Sequence, residues 1–267
     1  MEKYHPSIAL PIQRGNKETR QQTTDVIAEE VPIALIYNGI SHAVMLATPA
    51  DLEDFAIGFS LTEGIVPSIH DIYGIDIEEA FNGIRIEIEI ASAQFNHLKE
   101  RRRNLAGRTG CGLCGTDSLA QAIKILPKLT STATFSIPTI LNGFSKMQAK
   151  QYLKQQTGAT HAAAWLDRSG TLIDIREDVG RHNALDKLIG TLSRRHIDKT
   201  QGIVLVTSRA SYEMVQKCVL AKIPALAAIS APTALAIRMA QQAGLLLLGF
   251  VRQDNYTIYA DTHQRIG

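Results

Sequence analysis

Apolar residues follow two different rhythms along this chain, and the change falls near residue 107. In the first part, VPIALIYNGISHAVMLATP (31–49) is a pair of apolar segments joined by Asn38-Gly39. That dipeptide best tolerates the positive φ angles of a type I′ turn, so a β-hairpin is predicted. Thr48 and Pro49 then occupy N-cap and first-turn positions, with Asp51 closing a capping box and Gly64 ending the helix that carries Phe55, Phe59 and Leu61. In IRIEIEI (84–90), isoleucines alternate with Arg85, Glu87 and Glu89, as in a strand with one buried and one wet face.

The second part alternates between periods. A helix is predicted from Ser145 to Gln156, stopped by Gly158, followed by a hairpin in HAAAWLDRSGTLIDI that turns at Arg168 to Gly170. From residue 202 the pattern is regular: strand GIVLVT, helix SYEMVQKCVLAKI, strand PALAAIS, helix TALAIRMAQQAG, strand LLLLGFV. Continuous apolar strands separated by amphipathic helices predict a parallel sheet covered on both faces. The fold class is therefore α/β, or α+β overall. A small β-rich subdomain is expected over 20–106 and an α/β/α domain over 107–267.

Ligands of open α/β sheets bind beyond the carboxyl ends of the strands. Three loops should meet there, TSRAS (207–211), ISAPT (229–233) and GFVRQDN (249–255), bringing Arg209 and Arg252. Two of them lead into helices whose free N–H groups attract anions. Read blandly, they are ordinary connections with solvated arginines. A fourth segment, REDVGRHNALDKLIG (176–190), crowds Glu177, Asp178, Arg181, His182, Asn183, Asp186 and Lys187 around a helix that starts at a glycine. His182 is either a base or a capping residue.

At 267 residues and 45% hydrophobic content the chain can bury a large core, and its net charge of +2 points to no nucleic acid. No apolar run reaches the roughly 20 residues of a membrane span, and the polar N-terminus does not read as a secretory signal. A cytoplasmic protein that binds no membrane is expected. Three cysteines are too few for a disulfide framework. Cys218 shares a helical face with Met214, Val215 and Val219 and reads as an inert core thiol.

Cys111 and Cys114 are different, because they stand three apart among Gly107, Gly110, Gly112 and Gly115. A closed zinc site needs four ligands, and the chain has neither a second pair nor the His-x-Glu and Pro-Cys-x-x-Cys of zinc deaminases. A thioredoxin-like disulfide would follow a strand, whereas KERRRNLAGRTG precedes this pair. The third reading is sulfur chemistry, in which a thiolate carries a persulfide. Arg101, Arg102, Arg103 and Arg108, with a helix start in DSLAQAIKIL, would favour the thiolate, although KERRR alone also reads as a solvated helix face. The residues leave all three open.

Five segments in order, RTGCGLCG, EDVGRHNALDK, TSRASYEMVQK, ISAPTALAI and GFVRQDNYTIYA, resemble the FdhD family of formate dehydrogenase accessory sulfurtransferases, from about residue 20 to the end. The resemblance implies a cytidine-deaminase-like α/β/α domain without deaminase zinc ligands, and no tightly held metal. It implies that a cysteine desulfurase passes sulfur to Cys111. The sulfur would then go to a molybdenum (or tungsten) bis-guanine-dinucleotide cofactor, bound as substrate, before that cofactor enters formate dehydrogenase. Cys114 matches the second cysteine of the family motif, as relay or resolving thiol. Phe250, Val251, Arg252, Gln253, Asp254 and Asn255 match the segment that binds the guanine nucleotide moiety. A non-catalytic cofactor-binding chaperone for formate dehydrogenase is the alternative, and a homodimer is the default assembly.

Overall fold

The structure is a computed structural model that describes residues 4–105 and 125–267. Cys111, Cys114 and the glycines around them lie outside the described residues. The chain opens with a hairpin of β1 (Ser7–Gly15) and β2 (Arg20–Ala28), in register from Ser7 opposite Ala28 to Gly15 opposite Arg20. Its turn is tied by Asn16, whose Oδ1 accepts the backbone N–H groups of Glu18 and Thr19, each at 2.9 Å.

A four-stranded sheet follows, built from β3 (Val31–Tyr37), β4 (Ile40–Ala47), β5 (Ile72–Ala80) and β6 (Gly83–Ile90) in the order β4-β3-β6-β5. The predicted hairpin is β3–β4, with Asn38 at φ 46° and Gly39 at φ 79°. Ile84, Ile86, Ile88 and Ile90 of β6 are buried, as their alternation requires. They pack with Ile33 and Leu35 against Phe55 and Phe59 of α1 (Leu52–Thr62).

The capping box expected before α1 does not form. Asp51 sits at the N-cap in the left-handed region, φ 53°, and its side chain caps nothing. Thr48 is engaged elsewhere: its N–H donates to Asp178 Oδ2 at 3.0 Å, and its Oγ1 accepts from the Val179 N–H at 3.1 Å. A long-range buried carboxylate has outcompeted the local motif.

After α2 (Ser92–Leu105), the described chain resumes at Ile125 and builds a six-stranded sheet. The helix expected from Ser145 to Gln156 is two helices, α3 (Ile137–Ala149) and α4 (Tyr152–Thr157). They separate because Glu177 captures the N–H groups of Leu153 and Lys154, each at 2.9 Å, and so supplies α4 with its own N-terminal cap.

The sheet runs β12-β11-β10-β9-β7-β8, from β7 (His161–Asp167), β8 (Leu172–Asp178), β9 (Gly202–Val206), β10 (Ala225–Ala228), β11 (Leu246–Arg252) and β12 (Asn255–Ala260). β9, β10 and β11 are parallel, whereas β7 and β12 run antiparallel to their neighbours. The crossover helices α6 (Tyr212–Leu220) and α7 (Ala234–Ala243) share one face with α5 (Arg181–Arg194), around Trp165, Val204, Leu226 and Leu247. Successive right-handed crossovers in one direction put their helices on the same side. The other face, with Leu205, Ala227 and Leu248, is covered by Ile140, Phe144 and Met147 of α3.

The two sheets are joined through α1 and α5, which cross at a pair of glycines. A Cβ on Gly58 would fall 1.7 Å from the Asp186 carbonyl oxygen, and one on Gly190 would fall 1.8 Å from that of Asp54. Ion pairs surround this crossing. Lys187 and Asp178 meet at 2.6 Å with both side chains fully buried, Lys217 reaches Asp186 at 3.0 Å, and Arg176 holds Asp54 at 2.9 Å. Burial weakens the Lys217 ammonium, but Asp186 and Glu63 outweigh it and hold its pKa above the ordinary lysine value.

Candidate functional site

β8 through β11 end together at one edge, where the antiparallel β7 begins. The loops that leave them are laced to one another. Thr233 N–H donates to Ala210 O at 3.0 Å, Phe250 N–H donates to Ser230 O at 3.3 Å, and Ala162 N–H donates to Thr207 Oγ1 at 2.9 Å. The segments after β8, β9, β10 and β11 therefore converge on one side of the sheet, as the topology predicted.

Of the polar cluster 176–190, most side chains do not reach this edge. Glu177 caps α4, and Arg176, Asp178, Asn183, Asp186 and Lys187 bind residues 46–62 of the first part of the chain. Asp178 Oδ1 also accepts the Gly180 N–H at 2.7 Å, which fixes the start of α5. That leaves Arg181 and His182 in its first turn.

His182 Nε2 lies 2.7 Å from Glu213 Oε2, in the first turn of α6. The pair is imperfectly aligned, yet so short an approach is a polar contact. It holds the Glu213 carboxyl below the usual glutamate range, hydrogen bonding to His182 being the largest cause. His161, at the start of β7, completes the group. Burial first, then the charges of Arg181, Lys154 and His182, pull its pKa below 6.5.

Two donors here are unused. Ser211 is the N-cap of α6 but makes no side-chain cap, and among the described residues neither its buried Oγ nor the buried Nε of Arg181 has a partner. α7, by contrast, is capped by its own Thr233, which accepts from the Ala236 N–H at 3.2 Å. The first turns of α6 and α5 thus offer the N–H groups of Glu213 and Met214, the Ser211 hydroxyl and the Arg181 guanidinium to an anion. Arg209 is exposed on the same loop.

Phe250 to Asn255 form the end of β11 and its hairpin into β12, with Arg252 opposite Asn255. Phe250 takes φ 53° and is 38% exposed, with the Arg252 guanidinium 6.0 Å from its ring centroid, and Gln253 and Asp254 are the exposed turn. The Val251 side chain is buried in the core of the α3 face. The sequence placed this segment and the loop 207–211, with Arg209, at the edge, left His182 as a base or a capping residue, and singled out none of His161, Ser211 and Glu213. A serine directly before a helix that already carries an acidic first-turn residue was the available signal for Ser211.

The histidine gives a pH expectation. Because folding favours neutral His161, its stabilising contribution is present above pH 6.5 and is lost as pH falls through its lowered folded value. The NMR titration midpoint of His161 should lie below 6.5 and rise when pyrophosphate is added. No response to the anion would show that no cationic cluster faces ligand here, and a midpoint at 6.5 or above would show that the His161 ring is not buried as described.

Comparison with known proteins adds to this geometry. The profile of the FdhD/NarQ family matches residues 28–266. A sulfur carrier protein FdhD from Cupriavidus necator is 56% identical over 249 residues, covering 93% of this chain and 86% of that protein. One from Bordetella petrii is 57% identical over 247 residues, covering 92% and 89%. A crystal structure from Desulfotalea psychrophila, of a protein described as a formate dehydrogenase accessory protein, superposes with a TM-score of 0.75 at 23% identity. It covers 98% of this chain and 99% of that one, which establishes the shared mixed α/β fold.

Proposed function

This chain belongs to the FdhD/NarQ family, and from that premise we propose that it is a sulfurtransferase. It accepts persulfide sulfur from a cysteine desulfurase on Cys111. It then passes that sulfur to the molybdenum (or tungsten) bis-guanine-dinucleotide cofactor destined for formate dehydrogenase. Two sulfur carrier proteins above 50% identity supply the chemistry.

The observation that carries the substrate assignment is the convergence of the strand-end loops on one cationic edge. Ser211 Oγ, Arg181 Nε and the α6 N–H groups suit a phosphate, and exposed Phe250 beside Arg252 suits a purine face. Asp254, on the hairpin turn, would serve a sugar or guanine edge rather than a phosphate. The cofactor is cargo here: the chain's own groups bind its nucleotide arm, and sulfur arrives by exchange. In the loading step the Cys111 thiolate attacks the outer sulfur of the donor persulfide, that S–S bond breaks, and the desulfurase leaves as its thiolate. No net oxidation occurs.

The reading also takes the larger sheet and its helices as cytidine-deaminase-like, divides the chain near residue 106, and places a homodimer in the cytoplasm. Incubation with desulfurase and ³⁵S-cysteine should label the chain on the peptide that contains Cys111, and GDP should bind without affecting that loading. Label that never enters the chain, or GDP that does not bind, would overturn the corresponding half.

A further inference from the structure

The opposite end of α5 and α6 borders a cavity of about 520 Å³, between the first part of the chain and the large sheet. This is within the usual range for small-molecule sites, which favour junctions of this kind. Leu61 and Val66 line it from one side, and Ile189, Ile197 and Leu220 from the other. The polar side chains on its wall are Ser68, Ser193, His196, Lys199 and Lys222, of which the two lysines are cationic.

Their backbone setting is unusual. Three helices end on glycine in the left-handed region, α1 at Gly64 (φ 66°), α4 at Gly158 (φ 72°) and α7 at Gly244 (φ 71°). α1, α5 and α6 all border the cavity, and although Gly64 of α1 is among its lining residues, α5 and α6 end on His196 (φ 53°) and Lys222 (φ 61°). Both ends are closed in the same way, Ile197 N–H donating to Leu192 O and Ile223 N–H to Cys218 O, each at 2.9 Å. Glycine would fit these positions without strain, so His196 and Lys222 stand there at a conformational cost.

The charges are not consumed locally. Among the described residues neither Lys199 nor Lys222 forms an ion pair, and Lys199 Nζ donates only to Ser193 Oγ, at 3.0 Å. The nearby Glu63 is held by Lys217 at 2.9 Å. Three helix carboxyl ends, those of α1, α5 and α6, contribute roughly half a negative charge each. The two ammonium groups offset that and concentrate the positive charge of the wall on Lys199 and Lys222. Burial, and to a lesser degree the neighbouring charge of Lys222, pull the Lys199 pKa down, although Asp198 opposes them.

We propose that this cavity binds a small amphipathic anion, with a carboxylate or phosphate headgroup on Lys199 and Lys222 and an apolar body against Leu61, Val66 and Ile189. The site is separate from the sheet edge and independent of the sulfur-carrier reading. Calorimetry with decanoate, decyl phosphate, decanol and inorganic phosphate tests it. The two amphipathic anions should bind with Kd on the order of 10–100 μM, and decanol and inorganic phosphate at least ~10-fold more weakly. A preference between the first two identifies the headgroup. Lys199→Met with Lys222→Met should weaken binding at least ~10-fold while sulfur loading is unchanged. Lys222→Gly should also weaken it, yet raise Tm by roughly 2–4 °C as strain is relieved, which separates lost binding from lost folding. Binding of decanol or inorganic phosphate as tight as decanoate, or full affinity in the double methionine variant, would overturn the proposal.

Discussion

Replacing Gly58 or Gly190 with alanine should destabilise the protein by about 4 kcal/mol or more, among the largest effects expected of a single methyl group. The added Cβ would stand 1.7 Å from the Asp186 carbonyl oxygen in the first case and 1.8 Å from that of Asp54 in the second. Each obstruction is backbone, so no rotamer change relieves it. α1 and α5 would have to separate by on the order of 1.5–2 Å to restore van der Waals contact. That movement would stretch the contacts that span the crossing, the Arg176–Asp54 ion pair at 2.9 Å and the Thr62–Asp186 hydrogen bond at 2.7 Å, both poorly solvated. A broken buried pair leaves an uncompensated charge, so the clash and the electrostatics add. Urea unfolding of each variant measures the loss, with Tm falling by roughly 10 °C. Variants within 1 kcal/mol of the parent would mean that the two helices do not cross so closely. A lesser change is also expected at the site, because α5 carries His182, whose contact with Glu213 spans 2.7 Å.

This crossing marks a boundary of what the sequence could convey. The three strands and two helices between 202 and 251 follow from local periodicity and form as expected, whereas β12 was not predicted. So do the Asn38-Gly39 hairpin and the alternating isoleucines of β6. Long-range partners decided the rest. Thr48 looks like a cap but is bound by Asp178, 130 residues away. Nothing between Ala149 and Tyr152 is a helix breaker by type; the break comes from Glu177, more than 20 residues downstream. The polar richness of 176–190 looked like chemistry, yet most of it ties the two sheets together, and only Arg181 and His182 face the edge. His161 could not be found by pattern, since a strand residue acquires its surroundings only when β7 pairs beside β8 and β9. The β1–β2 hairpin was not predicted, although Ile8, Leu10 and Ile12 alternate, because polar residues dominate the segment.

The two cysteines should separate cleanly by function. Cys111→Ser is expected to reduce labelling from a persulfide donor to background, because a hydroxyl is not ionised near neutral pH and cannot attack the outer sulfur as a thiolate does. Cys114→Ser should load normally but fail to release sulfur. Delivery of sulfide from a sulfane sulfur requires two electrons. The thiolate of Cys114 can supply them by attacking the inner sulfur of the Cys111 persulfide, forming a Cys111–Cys114 disulfide and expelling hydrosulfide. The disulfide must then be reduced by an external dithiol before another cycle. A pulse of ³⁵S-cysteine with desulfurase, followed by an unlabelled chase with acceptor cofactor, distinguishes the steps. The parent should lose label in the chase, Cys114→Ser should keep it, and Cys111→Ser should never acquire it. If both variants restore formate dehydrogenase in cells lacking the protein, neither thiol carries sulfur, and a cofactor-binding chaperone replaces the sulfurtransferase. If only Cys114→Ser restores it, the reducing electrons come from outside the pair and Cys111 alone is the carrier.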